Sequence, residues 1–574
     1  MTHPLTTSLL LATITGTFTM HGCDKDDDHQ ETAPSSSLKI DTAPWFENKS
    51  GPSGVDFNWI SGAQGEFNLP EIIGGGIAMI DYDNDGDLDL YFVQGGQLVN
   101  AIKDPLSNDV SDKLYRNDGD FKFTDVTEAA LPSRSVRGYG MCPAVGDYDN
   151  DGDTDIYIAN LGRNTLLRND DGQFTDVTEM AGLGDDGWGS AAAFLDIDLD
   201  GDLDLYSGNY LEWSPETEIT CHATQGGEDY CAPTNYPTPA IDRLYLNLGD
   251  GRFKDITRAS GIASNARTAL GISIADYDQN GFPDIFIAND GMPDTMWSNQ
   301  GNGRFVDTGL QSGCSVDNDG QEKAGMGVGS TDMDDDGDID LLVCNLGGES
   351  DSLFRNDGDH FTDLTARSGI KTTTSKYTRF GLGWVDFNND GYLDLYEATG
   401  RVQRAGESVS GDDPYAEMNI LLSGKAGDRM SLRTPVGGVA NQKPRTSRGA
   451  AFGDLDDDGK IDIIVINKDA AANVYRNINE EKGRWMLIKA LDRNGRDAIG
   501  AKLTVKAGDR RITRMIHPAG SYYASNDPRA HLGLGPITSV EYLDILWPDG
   551  SKERFDALET NRVHTIRQGE GRAE

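Results

Sequence analysis

Little in this sequence points to catalysis. Histidine is scarce, eight in 574 residues, and three of the eight (His3, His21 and His29) lie within the first 29 positions. There is no nucleophile-elbow sequence, no His-rich zinc spacing and no phosphate loop, so the groups that would supply a base, an activated nucleophile or an open metal site are missing. Basic charge is short as well. Against 95 Asp+Glu stand 50 Lys+Arg, a net of −45. Nucleic acid and anionic membranes both demand a basic footprint, so neither is expected as a partner. No apolar run reaches the 18 residues of a membrane-crossing helix, so none is expected.

What is present is unevenly spread. After residue 480 the chain has 16 Lys/Arg and 13 Asp/Glu, which leaves 34 against 82 before it. All the excess acid therefore lies in one long block. Residues 1–23 carry the short apolar stretch LTTSLLLATITGTFTM ahead of Gly22 and Cys23. They read as an export segment and resemble a bacterial lipoprotein signal, which makes Cys23 a candidate lipid anchor. Residues 24–43 are acidic and contain Ser and Pro, the composition of a solvated tether. Cys221 and Cys231 bracket an aperiodic loop, the setting for a short disulfide in an exported protein.

Between 44 and 480 one acidic loop recurs seven times. It runs through Asp81, Asp83, Asp85, Asp87 and Asp89 in the first copy and Asp147, Asp149, Asp151, Asp153 and Asp155 in the second. The third has Asp196, Asp198, Asp200, Asp202 and Asp204; the fourth has Asp276, Asp278, Asn280, Phe282 and Asp284. The fifth has Asp332, Asp334, Asp336, Asp338 and Asp340; the sixth has Asp386, Asn388, Asp390, Tyr392 and Asp394. The seventh has Asp454, Asp456, Asp458, Lys460 and Asp462. Each copy follows a Gly-rich apolar stretch and precedes an alternating β-branched or aromatic run, then a strand ending in Asn, then FTDVT or a variant. That is four short strands per unit, with the acidic loop between the first two.

Four-stranded units repeated seven times predict an all-β, seven-bladed β-propeller, followed by a small C-terminal β-domain over 481–574. The copies start 49 to 80 residues apart, too far for the nine-residue turns of a calcium-binding β-solenoid. The fourth strand after the sixth loop is degenerate (RMSLRTP, 429–435), and PWFENKSG (44–51) resembles a stray fourth strand. The N-terminal strand is therefore expected to complete the seventh blade and close the ring, leaving no open edge.

Carboxylates at alternate positions around a glycine suit Ca²⁺, which takes six to eight oxygens. The side chains at positions 1, 3, 5 and 9 are the expected ligands, with the main-chain carbonyl at position 7, where Phe282, Tyr392 and Lys460 have no suitable side chain. Up to seven Ca²⁺ ions follow. Six of the seven loops lack the Glu that an EF-hand places at position 12, and strands flank them rather than helices. An acidic turn without metal would leave its carboxylates to repel one another.

These residues resemble FG-GAP/VCBS repeats, the integrin-α-type propeller motif. GGGIAMIDYDNDGDLDLYF, DYCAPTNY, AGMGVGSTDMDDDGDIDLLVCN and RGAAFGDLDDDGKIDIIVIN, in that order, are similar to the cartilage acidic protein family. Residues 485–555, with SNDPRAHLGLG and WPDG, resemble the ASPIC/UnbV domain that follows the propeller there. The chain departs from that pattern at EATGRV (397–402), where relatives commonly carry an Asn-Gly-His-Val-like turn. The resemblance implies an exported, secreted or cell-envelope, calcium-binding protein of adhesion or matrix type, with a protein or glycan partner.

The C-terminal segment alternates in strand fashion, as a small sandwich or barrel would, and its mild positive charge suits docking on the acidic block. His517, Tyr522, Tyr523, Asp527, Arg529 and His531 are its densest polar cluster, expected as a turn held by Asp527 and Arg529. In the longest gap between loops, Tyr210, Trp213, Tyr230 and Tyr236 are the candidate sugar-stacking faces of a lectin. A calcium-dependent polysaccharide lyase is the remaining alternative; the expected function is a non-enzymatic binding scaffold.

Overall fold

The computed structural model describes residues 43–98, 102, 108–132, 136–404, 410–426, 429–480 and 483–573. Cys23, the export segment and the tether lie outside the described residues.

The acidic block folds into seven four-stranded antiparallel sheets. The first strand of each packs against the first strand of the next: Ile77–Ile80 on Tyr139–Gly146, and so on to Ser447–Gly453, which returns to Ile77–Ile80. This is a closed ring of blades, a β-propeller. The Gly-rich stretches have a steric cause. A Cβ on Gly271 would sit 2.1 Å from the Met326 carbonyl oxygen of the next blade, and one on Gly327 would sit 2.2 Å from that of Phe380. Only glycine lets neighbouring inner strands approach so closely. The last blade is built from both ends of the ring: Phe46–Asn48 pairs antiparallel with Ala470–Asn477, Phe46 opposite Asn477. In the sixth blade the fourth strand shrinks to Ser431–Leu432.

The outermost strands are only three or four residues long in most blades, and a threonine then takes over their edge. The hydroxyl oxygens of Thr127, Thr178, Thr257 and Thr365 accept the amides of Leu114, Leu166, Leu244 and Leu353 at 2.8–3.0 Å. That blunts edges which would otherwise invite pairing with another chain.

The C-terminal segment forms a three-stranded and a five-stranded sheet around its own apolar core, which includes Met486, Leu503, Leu532 and Trp547. One loop of this domain reaches into the ring. Ala524–Ser525 runs parallel to Ile77–Ala78 as a fifth strand of the first blade. Ser521 exchanges backbone hydrogen bonds with Val328, and its hydroxyl donates to the Ala450 carbonyl at 2.7 Å. Ser525 donates to Pro143 at 3.0 Å. The Leu382 amide donates to the Ser521 hydroxyl at 2.9 Å, so five of the seven inner strands are tied to one tongue, which fills the centre of the ring.

Candidate functional site

All seven acidic loops share one geometry, and hydrogen bonds within the loop create it. The carboxylate at position 1 accepts the amide of the position-6 glycine, as Asp147 does from Gly152 at 3.0 Å. Position 5 accepts the amide of position 7, as Asp85 does from Asp87 at 2.9 Å. Position 4 is left-handed in every copy (Asn84, Asn150, Leu199, Gln279, Asp335, Asn389 and Asp457), and the glycine two residues on has φ between 82° and 99°. Two positive-φ residues in close succession fold the chain so sharply that its carboxylates converge. Single oxygens of Asp81, Asp83 and Asp85, of Asp147, Asp149 and Asp155, of Asp196, Asp198 and Asp204, and of Asp276, Asp278 and Asp284 lie within 4.8 Å of one another.

Position 9 has a second task. In all seven loops its two oxygens accept the amide of loop position 2 and an amide at the end of the third strand; for Asp89 these are Tyr82 at 3.1 Å and Asn117 at 2.7 Å. The recurrent Asn at that strand end is an inter-blade staple that pattern reading did not foresee. Asn169 donates to the Thr154 carbonyl of its own loop at 3.2 Å and to Tyr82 of the preceding blade at 2.8 Å. Asn117, Asn247, Asn299, Asn356 and Asn477 repeat this toward Leu455, Tyr148, Ile197, Tyr277 and Phe387. The sixth blade has Gly424 there instead, keeping only the amide bond to Asp394. Three of the aspartates at position 7 turn to the neighbouring loop: Asp153 and Asp202 accept from Asn84 and Asn150 at 2.6 Å each, and Asp338 accepts from Gln279. They are committed sideways, which leaves the main-chain oxygen at position 7 as the group that could face an ion.

The loops fit a calcium ion by their donor chemistry. One buried oxygen in each of Asp83, Asp149, Asp276, Asp332 and Asp456 has no hydrogen-bond partner, a costly state for a carboxylate unless a cation completes it. Burial drives the acids upward. Asp89, Asp204 and Asp340 are pushed to about 8 and Asp147, Asp196 and Asp332 to about 6. Neighbouring loop carboxylates push in the same direction. Burial and crowding thus favour the uncharged form of these acids, and a cation among them would favour the charged form.

The C-terminal domain sits on this loop face, and its cations meet the loops one after another. Lys489 lies 3.5 Å from Asp81, and Arg496 reaches Asn150 and the Gly201 carbonyl. Arg510 grips Asp335 at 2.5 Å and the Gly391 carbonyl at 2.7 Å. Arg529 bonds to Asp457 and to the Asp454 carbonyl, both at 2.6 Å, while paired with Asp527 at 2.8 Å. His531 approaches Gly459, and His517 bonds to its own turn at Ala519. The polar cluster seen in the sequence is therefore a docking surface, with Tyr522 and Tyr523 buried in the ring. Over the third and fourth loops the cap stands off, leaving a cavity of about 730 Å³ lined by Phe282, Lys502, His517 and Trp547 among others.

The proposed lectin face does not hold. Tyr210, Trp213, Tyr230 and Tyr236 are between 0 and 9% exposed. Their polar tips are bound to Asp290, Glu218, Glu71 and Glu218 respectively. The loop that carries them folds inward because its aromatics bury more favourably against the ring, so no stacking surface is left for a sugar. Cys221 and Cys231 are disulfide-bonded; Cys142, Cys314 and Cys344 are free and buried. Pattern reading also missed a buried charged knot between the fifth and sixth blades. Arg379 donates to Asp351 at 2.7 Å, and the Cys344 thiol faces Glu397 at 3.5 Å. Burial holds Glu397 well above the usual carboxylate range.

Comparison with known proteins agrees with this architecture. The ASPIC and UnbV family matches residues 491–573, and the FG-GAP-like repeat family matches 81–158, 147–207, 230–287 and 332–397. Cartilage acidic protein 1 of Mus musculus is 28% identical over 325 residues, 53% of this chain and 45% of that protein. Its Xenopus tropicalis counterpart is 24% identical over 510 residues, 83% of this chain and 70% of that protein. Among solved structures, an Agrocybe aegerita lectin that recognises terminal N-acetylglucosamine covers 69% of this chain and 86% of its own at 16% identity and a TM-score of 0.35. Saccharomyces cerevisiae Sqt1 covers 76% and 100% at 9% identity and a TM-score of 0.38. The chain carries FG-GAP-like repeats followed by an ASPIC/UnbV domain, and over most of its length it is similar to the cartilage acidic proteins.

Proposed function

We propose that this chain is an exported, calcium-stabilised propeller scaffold that binds a macromolecular partner, protein or glycan, and performs no catalysis. The observation that carries the calcium reading is the set of unpartnered, buried carboxylate oxygens at positions 1 or 3 of the first, second, fourth and fifth loops. The side chains at positions 1, 3, 5 and 9 would hold the ion with the position-7 carbonyl. An ion held there would supply positive charge among the loop carboxylates. With the cap on the loop face and its tongue in the centre, the outer rim and the opposite face remain for a partner. No helix of the described residues is long and apolar enough to cross a membrane, and Cys23 is the candidate lipid anchor.

Stability is the direct test. Ligand that binds only the folded state stabilises by about 2.7 kcal/mol at 100 times its Kd. Sites of the extracellular kind have Kd values of roughly 10⁻⁴–10⁻³ M, so the melting temperature should climb as calcium goes from chelated to about 10 mM. An unchanged melting temperature would refute the reading. Partner capture by the folded chain in calcium, lost in chelator, tests the scaffold role.

A further inference from the structure

The seventh loop differs from the others in where its counter-charge comes from. In four blades the third-strand residue just before the terminal Asn is an arginine: Arg116, Arg168, Arg355 and Arg476. In three of them an aspartate two residues later takes the guanidinium: Asp118 at 2.7 Å, Asp170 at 2.9 Å and Asp357 at 2.7 Å. Arg355, so held, stays 4.0 Å from Asp334 in its own loop. In the seventh blade the residue two places on is Ile478, which offers no carboxylate. Arg476 turns into the loop instead, 2.5 Å from Asp456 and 3.9 Å from Asp458.

Two more cations reach the same loop. Lys460, at the position filled by Asp, Phe or Tyr elsewhere, lies 3.3 Å from Asp458. Arg529 of the cap binds Asp457 and the Asp454 carbonyl. One oxygen of Asp456 stays unpartnered, as in four other loops, but its twin is held by Arg476. A divalent ion placed among these carboxylates would face two monovalent cations on neighbouring ligand positions, Arg476 at 2.5 Å from Asp456 and Lys460 at 3.3 Å from Asp458, and like charges at that range repel strongly.

We infer that the seventh loop is clamped by internal cations and takes no calcium, so that the blade closing the ring is metal-independent and at most six loops are loaded. This rests on the calcium reading above. It also gives closure a reason: the blade sewn from two distant chain segments holds together before any ion arrives.

The test counts ions on the full chain by native mass spectrometry in calcium, for wild type and for a double variant, Arg476→Ser with Lys460→Asp. Serine stands at the arginine's place in the fourth and sixth blades, as Ser298 and Ser423. The variant is expected to gain one ion over wild type. An equal count in both proteins, or seven ions in wild type, overturns the inference; zero ions in wild type refutes the calcium reading instead. Hydrogen exchange of wild type in chelator serves if the variant does not fold. Residues 454–462 should keep their protection while 81–89 and 147–155 lose theirs by tenfold or more. Equal loss in all three segments overturns the clamp.

Discussion

Replacing Tyr522 by alanine would unseat the tongue that joins cap to ring. The ring of Tyr522 is fully buried, stacked on Tyr523 at 4.0 Å between centroids and edge-on to Phe380 at 4.9 Å. Its hydroxyl donates to the Ile73 carbonyl at 2.8 Å. Truncating a buried aromatic side chain costs roughly 3–5 kcal/mol, whereas Tyr522→Phe forfeits one hydrogen bond, about 1 kcal/mol. A chain of this size with two domains need not unfold in one step, so the readout should be local. Native-state hydrogen exchange can follow the amides of Ile77, Val328 and Ser521, each bonded across the tongue–ring contact. At about 1.4 kcal/mol per tenfold, alanine should accelerate their exchange by two to three orders of magnitude and phenylalanine by about fivefold. Exchange in the alanine variant within threefold of wild type would show that the tongue is not what holds the two domains together.

Acid should stabilise the metal-free protein. Burial raises Asp89, Asp204 and Asp340 to about 8 and Asp147, Asp196 and Asp332 to about 6. Raised carboxyls contribute stability that is complete below the ordinary value near 4 and is lost as pH climbs through 6 to 8. In chelator the melting temperature should therefore fall between pH 5 and pH 8, and calcium should flatten that slope; a slope of opposite sign in chelator contradicts the loop electrostatics. Asn169→Ala removes two donor bonds, to Tyr82 and Thr154, and the bond its side-chain oxygen accepts from Gly172; about 2–4 kcal/mol should be lost in denaturant titration. In the buried knot, burial shifts Glu397 toward its protonated form, so Glu397→Gln should cost less than loss of its charged neighbour Arg379. Arg379→Met strands Asp351 and should cost about 3–5 kcal/mol in the same assay.

The ring was legible because its cause repeats. Seven copies of an acidic turn between a Gly-rich and a β-branched strand leave few architectures open, and a lone fourth strand at 44–51 marks where the ring is sewn shut. The convergence of the loop carboxylates was legible for the same reason, since acids spaced around one glycine recur in every copy. Burial was not. Tyr210, Trp213, Tyr230 and Tyr236 looked like a binding face because aromatics in a polar loop have the same composition whether they point out or in.

By itself, then, the sequence determined what local chemistry repeats: strand alternation, the positive-φ turns, the acid spacing and the charge split at residue 480. Only the tertiary structure decided which charges meet. Lys489, Arg496, Arg510 and Arg529 face the loops because the cap lands on that end of the ring, and Asn169 bonds to Tyr82 because one blade ends beside its neighbour's turn. Arg476 enters its loop because a single aspartate is missing two residues on, a consequence visible only once strand and loop lie side by side. Such pairings join residues far apart in the chain, and their partners are fixed by closure of the ring, which no local pattern encodes.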